Sequence, residues 1–256
     1  MCLYPKLIKN RKYTATKKNK GEIPTLKDDR TLWVPIGCGK CIECTKQRAN
    51  HWRTRLLEEI RHKRLGAQFV TLTFSPDKLE HLSKDILNKN SEYEIDNEIA
   101  TLATRRFLER CRKETGKSIK HWLITELGHE NTERIHLHGI IWAKPEFINK
   151  HWQYGWIYFG QYVNEQTINY IVKYVTKIDT DHKWFSGKIL CSHGIGSGYL
   201  KRHDSKLNKF NNTNTNELYI TKNGSKYSLP IYYRNKIYSD DEKEQLWLQK
   251  LDKKRK

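Results

Sequence analysis

The sequence predicts an α+β fold built on a mainly antiparallel sheet, and three observations lead there. QFVTLTF (68–74), HWLITEL (121–127) and RIHLHGIIW (134–142) alternate or concentrate apolar residues over strand-length runs. Segments with apolar residues at helical spacing lie between and after them. The turn-rich GHENTER joins the second and third runs closely enough for an antiparallel hairpin. Strands separated by helices, with a hairpin at the centre, form an α+β domain.

The elements follow in order. Residues 1–33 are rich in lysine and turn formers and read as a basic, irregular N-terminal arm. A main domain spans 34–238 and includes a Cys-rich segment at 38–44; 239–256 reads as a basic C-terminal helix and tail. From 43 to 64 the pattern is helical, with Trp52, Leu56 and Ile60 on one face. Arg48, Arg53, Arg55, Arg61 and Lys63 occupy the other faces, where they suit a phosphate backbone; a merely solvated basic face explains the same pattern.

QFVTLTF ends at the turn signal SPD. Residues 98–113 place Ile99, Leu102, Ala103, Phe107 and Cys111 at helical spacing, and Gly116 closes that helix. After the hairpin, GWIYFGQYV (155–163) reads as an aromatic strand and EQTINYIVKYVTKI (165–178) as a helix. SHGIGSGYL and NNTNTNEL are loop material, and SLPIYYRNKIY reads as a strand or extended flap. Ser239 with Glu242 forms a capping box for a last helix before the terminal KKRK. No internal repeat is visible.

Lys and Arg number 48 against 29 Asp and Glu, a net charge of +19 over 256 residues. Such an excess points to a polyanionic partner, because each neutralised phosphate releases condensed counterions. No N-terminal apolar segment resembles a secretion signal and no run reaches membrane-spanning length, so a soluble intracellular protein is expected. In that setting the thiols of GCGKCIEC (Cys38, Cys41, Cys44) suit one tetrahedral zinc ion better than disulfides. The fourth ligand is open between Cys2, His51 and His62, and reduced thiols packed as small apolar groups are the alternative.

His136 and His138 share one face of their strand, since successive side chains alternate. Two neutral imidazoles so placed can converge on one ion, and Glu126, near the end of the preceding strand, is the natural third ligand. An H-x-H pair alone is as compatible with a structural role. In the following helix Tyr170 and Tyr174 are four apart and share a face, flanked by Lys173 and Lys177. The apolar stripe Ile168, Ile171, Val172, Val175 and Ile178 centres about 115° away, so the tyrosines are not the middle of the buried stripe. Hydroxyls beside cations and a histidine pair suit attack on a phosphodiester; two amphipathic rings at a core edge are the bland alternative.

In order, FVTLTF, HLHGII and YIVKYVTK resemble the three rolling-circle motifs of HUH endonucleases. The similarity is to replication initiators of small single-stranded DNA bacteriophages, the Microviridae, in their gokushovirus-like branch, and extends over about residues 34–238. The resemblance implies an HUH fold and Mg²⁺ or Mn²⁺ held by His136, His138 and Glu126. It implies that Tyr170 and Tyr174 are nucleophiles forming 5′-phosphotyrosine links with single-stranded origin DNA, with Lys173 stabilising charge. FVTLTF would help build the DNA-binding face. Host DNA polymerase and host helicase would be partners in the bacterial cytoplasm, since no GxxxxGK[ST] motif is present. Arg48, Arg53, Arg55 and Lys177 are candidate DNA contacts. The competing readings are an HUH relaxase or transposase, and a zinc-stabilised, non-catalytic nucleic-acid-binding protein.

Overall fold

The computed structural model describes residues 2–17, 19–62, 66–86, 92–128, 133–177, 181–182, 185–221 and 223–255. Lys63, Arg64 and Ile178, assigned above to helices, lie outside them, as do 129–132 of the hairpin connection and Lys256 of the terminal KKRK. The elements in chain order are β1 (Lys6–Lys9), β2 (Trp33–Ile36), α1 (Ile42–His62), β3 (Ala67–Leu72), α2 (Pro76–Lys84), α3 (Glu92–Thr115), β4 (Lys120–Leu127) and β5 (Ile135–Trp142). They continue with α4 (Pro145–His151), β6 (Ile157–Phe159), α5 (Glu165–Thr176), β7 (Ile189–Cys191), β8 (Leu218–Ile220), β9 (Lys226–Ser228), α6 (Ile231–Ile237) and α7 (Asp240–Arg255). Among the described residues no helix is long and apolar enough to cross a membrane.

The chain divides into two compact units, Met1–Thr54 with Ser197–Lys256, and Arg55–Gly196, rather than into the three consecutive segments read from the sequence. In the first unit the expected irregular arm carries a strand: β1 pairs antiparallel with β2, Lys6 opposite Ile36 and Lys9 opposite Trp33. The arm is also tied to α7, because buried Tyr13 donates its hydroxyl to Glu244 at 2.6 Å and Lys12 pairs with Asp241 and Glu244. The Ser239–Glu242 capping box forms at the start of α7 through bonds of 2.7 and 3.2 Å. SLPIYYRNKIY is neither strand nor flap at its centre but the helix α6: Pro230, at its N-cap, cannot extend the β9 ladder and suits a helix start. Tyr199, Tyr219, Leu229, Tyr233, Tyr238 and Leu246 make this unit's buried core.

The second unit holds a five-stranded sheet in the order β6-β3-β5-β4-β7, antiparallel throughout. The α+β expectation with a central antiparallel sheet is met. Alternation gives the sheet two faces. On one, Val70, Leu72, Leu123, Leu127, Ile135, Leu137 and Ile141 pack with Ile99, Ala103 and Phe107 of α3. The other carries His136 and His138. Gly139 sits where β5 runs close to β4: a Cβ there would lie 2.0 Å from the Trp122 carbonyl oxygen and 2.8 Å from Leu123 Cα. Any side chain at Gly139 therefore has to push the two strands apart. The aromatic strand is shorter than its sequence suggests, with only Ile157–Phe159 laddered to β3.

Candidate active site

The hairpin register places Glu126 on β4 directly opposite His136 on β5, and Ile124 opposite His138. On the other side of β5, Thr71 of β3 lies opposite His138. The two histidines consequently share one face with Glu126 between strands. His138 Nε2 is 2.8 Å and His136 Nε2 3.2 Å from the same oxygen, Glu126 Oε2. The Glu126 carboxylate and His138 are buried, and His136 is half-buried.

Each ring is oriented from behind. His136 Nδ1 lies 3.1 Å from the Arg134 carbonyl, which can only accept, so Nδ1 carries the proton and the Nε2 lone pair is the one available to an ion. His138 Nδ1 is 3.0 Å from the Thr71 hydroxyl, which can donate or accept as the tautomer requires. Burial lowers the His138 pKa against the opposing pull of Glu126, which favours the neutral, ligand-competent imidazole. Burial alone would raise the Glu126 carboxyl, but hydrogen bonding with His136, His138 and Lys177 outweighs it and holds the group well below the usual carboxylate range.

Together the three donors fit a divalent cation. Neighbouring ligands of an octahedral ion at about 2.1 Å lie about 3.0 Å apart. The contacts of 2.8 and 3.2 Å bracket that spacing, and all three donor atoms lie within 4.8 Å of one another. Lys177, whose side chain pairs with Glu126 Oε1, places its ammonium beside this group.

α5 covers the histidines. Its start is fixed by a capping box in which Asn164 Oδ1 accepts from the Thr167 amide at 3.0 Å and Thr167 Oγ1 accepts from the Asn164 amide at 3.2 Å. Ile168, Ile171, Val172 and Val175 are its buried side, as the 3.6-residue period requires, and the tyrosines lie off that stripe. The Tyr174 ring stacks on the His138 ring, centroids 4.4 Å apart and planes within 9°. Tyr170 meets Tyr174 hydroxyl to hydroxyl at 2.7 Å, and its ring rests edge-on against Phe69 of β3 at 5.9 Å. Lys173 Nζ lies 4.5 Å from the Tyr170 ring centre. Burial, with the bond to Tyr170 in support, raises the Tyr174 pKa well above the ordinary phenol value, so its hydroxyl holds its proton.

Seven predicted residues, Glu126, His136, His138, Tyr170, Lys173, Tyr174 and Lys177, thus gather on one side of the sheet. Lys177, first assigned to DNA, reaches Glu126. Other candidate DNA contacts have structural partners: Arg55 Nε donates to the Ile195 carbonyl at 3.0 Å, and Arg53 lies over the Tyr227 ring at 5.9 Å and donates to Asn50. Arg48 is exposed on α1.

Three residues escaped the sequence reading: Thr71, Phe69 and Tyr158. Tyr158 lies opposite Thr71, on the row that continues through His138, while its neighbours Ile157 and Phe159 pack against the core on the α3 side. Its ring is therefore directed to the histidine face, where it is exposed, and Trp156 two residues earlier is 86% exposed. Alternation within FVTLTF was the signal for Phe69 and Thr71; nothing local distinguished Tyr158 from a structural aromatic.

The four cysteines form a separate group in the first unit, where Cys2, and neither His51 nor His62, joins Cys38, Cys41 and Cys44. No curated protein and no solved structure matches the chain. A family model does, over residues 67–179, a little under half of the chain, running from β3 past the end of α5 and so enclosing all ten residues named on the histidine face. That segment is similar to the family described as replication-associated proteins of the ORF2 type.

Proposed function

We propose that the chain is a metal-dependent endonuclease and strand-transferase. It nicks and rejoins single-stranded DNA at the replication origin of a small single-stranded DNA phage, and so begins and ends rolling-circle replication. The observation that carries this reading is the stacking of Tyr174 on His138, which brings the tyrosine pair to the histidine–carboxylate group. The similarity of residues 67–179 to replication-associated proteins supports it independently.

Glu126, His136 and His138 would hold Mg²⁺ or Mn²⁺, and the bound ion supplies positive charge that polarises the scissile phosphate. The protein's own groups do the rest. A tyrosine Oη forms a bond to phosphorus as the bond from phosphorus to O3′ breaks. The tyrosine gives up its proton, the departing O3′ acquires one, and a 5′-phosphotyrosine and a free 3′-OH result. Because Tyr174 starts protonated and bonded to Tyr170, that partner hydroxyl is the first acceptor at hand for proton exchange with solvent. Lys173, beside the Tyr170 ring, stabilises charge on the phosphate oxygens.

The 3′-OH primes a host polymerase, and a host helicase opens the duplex. After one circuit the second tyrosine cuts the regenerated origin. The new 3′-OH then attacks the first phosphotyrosine, restoring that hydroxyl and closing the circle. Exposed Trp156 and Tyr158 offer flat surfaces on which unpaired bases can stack.

The test is incubation with labelled single-stranded origin DNA and Mn²⁺, followed by denaturing electrophoresis for a covalent protein–DNA band. The double change Tyr170→Phe with Tyr174→Phe abolishes the band, while each single change retains some cleavage. An undiminished band in the double variant refutes the tyrosine assignment.

A further inference from the structure

We propose that Cys2, Cys38, Cys41 and Cys44 bind one zinc ion as four thiolates, a structural site that fastens the N-terminal end of the chain to the start of α1. The site is independent of the proposed nuclease chemistry.

Strand pairing brings the ligands together. Lys6 opposite Ile36 sets a register which, continued outward, carries Cys2 to a point opposite residue 40, between Cys38 and Cys41. Cys44, in the first turn of α1, supplies the remaining side. All four sulfurs lie within 4.8 Å of one another, and Cys41 Sγ is 3.8 Å from Cys2 Sγ. For a tetrahedral ion with Zn–S bonds of about 2.3 Å, the sulfur–sulfur edge is about 3.8 Å. A disulfide needs about 2.05 Å, and all six cysteines are free thiols.

The backbone is shaped for thiolates. The Cys38 amide points at Cys2 Sγ at 3.2 Å and the Cys41 amide at Cys38 Sγ at 3.3 Å, so N–H dipoles face developing negative charge. Gly39, with φ of +78°, makes the left-handed turn between Cys38 and Cys41. Gly37 leaves the cluster room, since a Cβ there would stand 3.0 Å from Cys44 Sγ. Packing as small apolar groups does not describe these residues. Cys111 does that job, fully buried in the core beneath α3, whereas all four clustered cysteines are only half-buried.

The experiment uses the full chain carrying His136→Ala and His138→Ala, so that the histidine group contributes no metal. Purified under reducing conditions, it should contain one zinc per chain by elemental analysis. Exchange for Co²⁺ should give the intense visible bands and sulfur-to-cobalt charge transfer of a tetrahedral thiolate site. Adding Cys41→Ser with Cys44→Ser should remove the metal, and adding Cys191→Ser should leave it in place. Because the double cysteine change can also prevent folding, Cys2→Ser provides the second measurement: release of zinc to a chromophoric chelator should speed at least tenfold with helix content retained. A chain that binds no zinc when offered it overturns the proposal. So does iron in place of zinc, and so does a Cys2→Ser variant that releases zinc at the parent rate.

Discussion

Thr71→Val isolates the support behind one ligand without touching any ligand. The change keeps shape but removes the hydroxyl 3.0 Å from His138 Nδ1. When Nε2 faces a cation, Nδ1 must carry the proton and donate it to the threonine oxygen; without a cation, the hydroxyl can rotate and donate to Nδ1 instead. His138 is buried, so valine leaves an unpaired donor in the ion-bound state and an unpaired acceptor in the ion-free state. An unpaired buried polar group costs about 1–3 kcal/mol, and an orphaned N–H is tolerated less well than an orphaned acceptor. Only the difference between the two states weakens binding, which puts the loss near the low end of the ~10–100-fold known for such supporting partners, about tenfold or 1.4 kcal/mol. Mn²⁺ titration by calorimetry or paramagnetic resonance measures it. Thr73→Val, which removes a hydroxyl bound to the Trp156 carbonyl at 2.9 Å, is the matched control. A Thr71→Val protein that binds Mn²⁺ within twofold of the parent refutes the orienting role.

Gly139→Ala must displace β4 from β5, because the new methyl meets backbone rather than a flexible side chain; chemical denaturation should show a loss of about 2–4 kcal/mol, and unchanged stability would contradict the close approach. Glu126 has a folded-state pKa far below the ordinary value near 4.5, so its stabilisation is present above about pH 4.5 and is lost as pH falls below it, where the unfolded chain takes up the proton first. Urea midpoints measured downward from pH 5 without metal should therefore fall more steeply in the parent than in Glu126→Gln, and parallel curves would refute the depressed pKa. Tyr158→Ala, with an exposed ring on the histidine row, should weaken single-stranded DNA binding by about 1–3 kcal/mol with little change in its salt slope, as fluorescence anisotropy would show. His136→Ala with His138→Ala should abolish metal-dependent cleavage yet leave salt-sensitive DNA binding, read by the covalent-band and anisotropy assays.

Local periodicity made β3, α3, β4, β5 and α5 legible, because each buries one side and so repeats at 2 or 3.6 residues. The same arithmetic put His136 with His138 and Tyr170 with Tyr174. It could not bring the two pairs together: that depends on which side of the sheet α5 covers, a matter of tertiary packing. Thr71 and Tyr158 were illegible for a related reason, since their relation to His138 exists only once β3 lies between β5 and β6. Lys177 read as a solvated cation, and its partner is 51 positions away. The four residues of β1 are too few and too lysine-rich to signal a strand without β2 beside them. α6 hides behind adjacent tyrosines that favour strands, until Pro230 is seen at its N-cap.

The bond between the Tyr170 and Tyr174 hydroxyls couples the condition of each to the other. Esterification of either ring consumes an oxygen that had been its neighbour's partner, and that neighbour must turn to water or to an incoming strand. On this chemistry the pair keeps a record of the reaction: an occupied tyrosine leaves its twin unpaired and ready, and closure of the circle restores the original bond. One helical turn of α5 then suffices to order two successive cuts, with no hinge and no exchange of subunits.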